Sequence, residues 1–168
     1  MSERALKPIT REGVPAALQK AHRYRVLNDP EAAESICLDV LSVDPVNVEA
    51  LVMHVLAITD QFVHGHGEDL RRAEEAVASL EDPYKYHYYR GVLCERWATG
   101  ILNRAEPRAG EMAHEWIERA LDHFAQAEAL RTPGNDEAIL RWNTCVRLLQ
   151  RHPEVKPAVE EYWEPSLE

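Results

Sequence analysis

The sequence predicts an all-α fold, on three observations. Apolar residues recur three and four apart through seven consecutive segments, the spacing that gathers them on one side of a helix. Proline and glycine gather between those segments, where they break helices. The sustained alternation of β-branched and polar residues that marks a strand is absent.

The first helix is expected over residues 14–27. Pro15 suits its first turn, since proline lacks a donor that would have no partner there. Ala17, Leu18, Ala21, Tyr24 and Leu27 form its apolar side. "NDP" breaks it, with Asp29 as a cap and Pro30 opening a second helix over 31–42. Ala33, Ile36, Cys37, Val40 and Leu41 share a side there, and "VDP" stops it at Pro45. A third helix is expected over 47–63, with Leu51, Val55, Leu56, Ile58 and Phe62 apolar, before "HGHGED" interrupts. A fourth covers 69–80 and ends at "EDP". A long fifth spans 84–103, followed by "RAEPRAG" as a loop or a new start at Pro107. A sixth runs over 109–130, "RTPGND" breaks it, and a seventh covers 137–151. Residues 1–13 read as a flexible arm, 14–151 as one helical domain, and 152–168 as an acidic, aromatic tail.

The chain has 168 residues, 45% of them hydrophobic, enough for one domain or a short repeat array. With 29 acidic and 19 basic residues its formal charge is −10. A negative field repels phosphate, so nucleic acid and anionic membranes are not expected as partners. Neutral, basic or amphipathic protein surfaces are, although a local basic groove can coexist with an acidic outside. Cys37, Cys94 and Cys145 are scattered and odd in number, which fits reduced thiols rather than a disulfide framework. The start "MSERALKPITREG" has no apolar core of a secretory signal, and no run approaches a membrane span of about 18 apolar residues. A cytoplasmic protein is expected.

Chemical motifs are sparse. "HGHGED" offers His64, His66, Glu68 and Asp69, residue types that bind zinc or nickel when three or four converge; an exposed turn is the plainer reading. "HEWIE" starts like a metalloprotease helix, but Glu118 stands where the second histidine belongs. His87 and Cys94 lie seven residues apart, about 10 Å along a helix, too far for proton transfer. There is no Gly-rich phosphate loop and no serine in a nucleophile elbow. No cofactor or metal is implied, and a non-enzyme is expected.

The stretch "AHRYRVLNDPEAAESICLDVLSVDP" resembles a tetratricopeptide repeat, a helix–turn–helix unit of about 34 residues. Ala21, Tyr24, Ala33 and Pro45 meet its pattern, with Cys37 in the usual aromatic slot. "YYRGVLC" is similar to the family's first-helix phrase, with Gly91 in the small slot. "ERALDHFAQAEAL" is similar to its second helix through Ala120, Phe124 and Ala127. The middle unit is degenerate. The resemblance covers residues 14–151 and implies a right-handed solenoid of about three helix pairs, closed by a capping helix.

The same resemblance implies a concave groove lined by the first helix of each unit. Its positions are Leu18, His22 and Arg25, then Val52 and Leu56, then Lys85, Tyr88, Val92 and Arg96, and finally Leu140 and Arg147 on the cap. Val26, Glu49, Thr59, Asp60, Glu95 and Thr144 fall on the same faces. Tyr86, Tyr89, Leu93 and Trp97 form a packing stripe, and Gly91 faces the second helix of its own unit. The family's carboxylate clamp is matched only at Lys85. The expected function is therefore non-catalytic protein binding, as a scaffold, adaptor, assembly factor or chaperone-like subunit that holds a peptide or helix. A metal-binding or enzymatic accessory role for the His64/His66 loop, or a structural subunit of a larger complex, is the alternative.

Overall fold

The computed structural model describes residues 4–159. Among them are seven α-helices and no strand: α1 (Val14–Val26), α2 (Pro30–Val43), α3 (Val48–Thr59), α4 (Gly67–Ala78), α5 (Pro83–Arg104), α6 (Ala109–Leu130) and α7 (Glu137–Arg151). Caps explain several starts. The side chains of Asp29, Asn47 and Asp82 accept hydrogen bonds from the backbone N–H of Ala32, Ala50 and Lys85, satisfying donors that no earlier turn can reach. Prolines occupy the first turns of α1, α2 and α5.

Each helix packs on the next in the chain, so the polypeptide runs as successive hairpins. The odd helices α1, α3, α5 and α7 also touch in succession, whereas the backbones of α2, α4 and α6 do not approach one another. The odd helices therefore form a continuous layer, with the even helices as separate ridges behind it. An ion pair between buried Glu34 and Arg72 bridges α2 to α4.

The main core joins α3 to α7 and centres on the two long helices α5 and α6. Gly91 lets them meet: a Cβ there would lie 2.6 Å from the ring of fully buried Phe124. The first helix pair uses smaller residues, with Ala21, Ala33 and Cys37 against Met53 and Ala57 of α3.

The end of α3 and both ends of α4 differ from expectation by two residues or more. α3 stops at Thr59, not at 63, because Phe62 leaves the helix to bury itself edge-on against Trp97, with ring centroids 5.0 Å apart. Arg104 holds that turn by donating to the Phe62 carbonyl at 2.7 Å. α4 starts two residues early, at Gly67, because the Asp69 carboxylate accepts the N–H of His66 at 2.9 Å. The packed body also runs past Arg151. Val155 is buried in the main core, and the Glu154 carbonyl lies so close to α6 that a Cβ on Gly110 would meet it at 2.2 Å. The expected tail at 152–168 thus begins as a strap, and its aromatic end, with Tyr162 and Trp163, lies outside the described residues. No helix among the described residues is long and apolar enough to cross a membrane.

Candidate functional site

The groove positions read from the sequence fall on the odd-helix layer, but not all of them present a surface. Leu18 is buried among Val14, Val40 and Ala50, and Val92 is fully buried in the main core. Neither lines a groove. The physical reason at Val92 is crowding: α3, α4, α6 and α7 all pack on α5, leaving its central turns without a free face. His22, Val26, Leu140, Thr144 and Arg147 are exposed, while Val52, Leu56, Lys85 and Tyr88 are half-buried.

Arg25 and Arg96, expected to line the groove, are instead engaged within the chain. Arg25 Nε donates to Asp60 Oδ2 at 2.7 Å, and Arg96 Nη1 donates to Asp60 Oδ1 at 2.6 Å and to Thr59 Oγ1 at 2.7 Å. Two guanidiniums from α1 and α5 thus share one carboxylate at the end of α3. Arg141 continues the seam, placing Nη1 3.4 Å from both carboxylate oxygens of buried Glu95. The four odd helices are joined edge to edge by these pairs. Burial pushes the Glu95 carboxyl above its ordinary range, opposed by Arg141 and Arg96. Burial likewise pulls the Arg96 guanidinium down, opposed by Asp60.

Sequence reading missed Arg141 because the exposed stripe of α7 runs through Leu140, Thr144 and Arg147, while Arg141 turns back toward α5. It had no means to pair Arg25 with Asp60, 35 positions apart. The aromatics at the start of α5 form a band. Tyr84 stacks on Tyr88 with centroids 5.9 Å apart, and Tyr88 meets Tyr89 edge-on at 5.0 Å. Tyr86, Tyr88 and Tyr89 also pack against the main core, so Tyr88 is anchored as well as accessible. Burial pushes the Tyr89 hydroxyl up to about 12.

The histidines separate. His64 and His66 are both exposed, and His64 borders an open cleft of about 580 Å³ together with Asp29, Glu31, Asp60 and Asp69. Among the described residues, no three His, Cys, Asp or Glu side chains converge as a metal site would require. His114 faces Glu118 at 3.7 Å. An unforeseen pair joins α5 to α6, with Nδ1 of His87 and Nδ1 of His123 3.1 Å apart. Only one proton fits on that contact, and burial, with His87 and Arg90 nearby, holds His123 below the usual histidine range. All three cysteines are buried, which pushes Cys37 and Cys94 up to about 11 and Cys145 up to about 12. Burial thus favours the protonated thiol at neutral pH, the less nucleophilic form.

No protein-family model, curated protein or solved structure matches this chain.

Proposed function

We propose that this chain is a non-catalytic protein-binding module, an adaptor or chaperone-like subunit, that takes a peptide or helix of a partner on its odd-helix layer. The observation that carries the reading is the continuity of that layer. Four helices touch in succession and are tied side by side by ion pairs, which makes a rigid platform. On it, exposed Leu140 and the half-buried Tyr84–Tyr88 band offer apolar and aromatic area, with Lys85 beside them. Rigid tyrosines supply contact area at low entropic cost. The Gly91–Phe124 contact and the hairpin order support a repeat of tetratricopeptide type, about three pairs and a cap, curved so that the odd layer is concave. An intracellular setting suits the three buried free thiols.

Site-specific photo-crosslinking in native extract tests this. A benzoylphenylalanine at Leu140, on the odd layer, is expected to trap a discrete partner. The same probe at Leu38, exposed on α2, is expected to trap none. Crosslinking from Leu38 alone would move the binding face to the even helices and overturn the proposal.

A further inference from the structure

We infer that the odd-helix layer takes an acidic segment of its partner, the reverse of the preference that the net charge implies. This rests on the reading of that layer as the binding face. Helices α1, α3, α5 and α7 carry ten Lys or Arg and three Asp or Glu. Helices α2, α4 and α6 carry three Lys or Arg and twelve Asp or Glu. Asp60, capping α3, adds one carboxylate to the odd side. The negative charge of the chain is therefore concentrated on one layer, and the other layer is cationic.

Packed helices lie about 8–10 Å apart, comparable to the screening length of about 8 Å at physiological salt. A ligand on the odd layer meets those cations directly and the even layer's carboxylates only after attenuation. Some of the cations are neutralised at home, such as Arg141 by Glu95, while Arg25 and Arg96 share Asp60 and leave one charge in excess. Lys85, Arg147 and Arg151 have no carboxylate within ion-pair distance among the described residues. On α7 the spacing 140, 144, 147, 151 puts Leu140, Thr144, Arg147 and Arg151 on one side, all exposed, over about 16 Å. That stripe is an apolar anchor followed by two cations. It fits an apolar residue followed by carboxylates.

Two twelve-residue peptides test this by amide chemical-shift mapping on the full chain. They share alternating leucines and differ only in carrying Glu or Lys between them. The Glu peptide is expected to shift amides of α5 and α7 and to bind about tenfold tighter there than the Lys peptide, as a few exposed ion pairs would give. The preference should fade in added salt. The double variant R147Q/R151Q should keep the fold and lose most of it. Equal shifts of α5 and α7 by both peptides would overturn the acidic preference and leave the binding face standing. Shifts by neither peptide on the odd layer would overturn both. Tighter binding there of a single-stranded oligonucleotide than of the Glu peptide would replace the carboxylate partner by a phosphate polymer.

Discussion

Gly91→Ala tests the contact on which the two long helices close. A Cβ at this position falls 2.6, 2.7 and 2.9 Å from Cε1, Cδ1 and Cζ of Phe124. Carbon atoms pack best at about 3.5–4.0 Å, so the ring or the helix must give by close to 1 Å. Phe124 is fully buried and its ring has nowhere to retreat. Overpacking of this kind costs about 1–3 kcal/mol. Against it stands the helix propensity of alanine, about 1 kcal/mol better than glycine in a helix interior. The net expectation is a loss of about 1 kcal/mol, and Gly91→Leu should lose more. Urea unfolding followed by circular dichroism measures it. The discriminating comparison is the same change in a Phe124→Leu background. With the ring gone the clash is relieved, and Gly91→Ala should turn stabilising, by up to about 1 kcal/mol. A coupling of about 2 kcal/mol then separates the two backgrounds. If Gly91→Ala stabilises both equally, α5 and α6 do not meet through this glycine and the packing phase of α5 is wrong.

Truncation after Arg151 should cost about 2 kcal/mol, the burial lost at Val155. Gly110→Ala should destabilise the full chain but not the truncated one, since the clash is with the Glu154 carbonyl; equal effects in both would refute the strap. Burial holds His54 and His123 below the usual histidine value of about 6.5. Their neutral forms are favoured in the folded state, so unfolding takes up protons as pH falls. The stability they contribute is complete above about pH 6.5 and is lost as pH drops through the folded values. Urea midpoints should fall between about pH 7.5 and about pH 5.5, and less steeply in His123→Gln; identical slopes would remove His123 from this account. Cys37, Cys94 and Cys145 should resist a thiol reagent at about pH 8 in the native protein and react fully in denaturant. Fast labelling of any one of them in the native state would contradict its burial.

What was legible in the sequence was what local chemistry decides. Asp29–Pro30 and Asp82–Pro83 start α2 and α5 within a residue of expectation, because a cap and a first-turn proline act within four positions. The end of α3 was not legible, because Phe62 continues the helical spacing and only Trp97 and Arg104, more than thirty residues later, draw it out of the helix. Leu18 and Val92 were misplaced for a related reason. A helical wheel assigns one buried face, whereas α5 is enclosed by four neighbours and α1 meets both α2 and α3. The ion-pair seam depends on contacts 35 to 46 positions apart, which no local pattern encodes. The sorting of charge is a different case. Every residue in that count is visible in the chain, and the alternation of hairpins already assigns odd and even helices to opposite layers. Net charge averages over the two layers and so conceals the cationic one. On the proposed reading, the sign that matters to a partner is that of the odd layer, which opposes the sign of the whole chain.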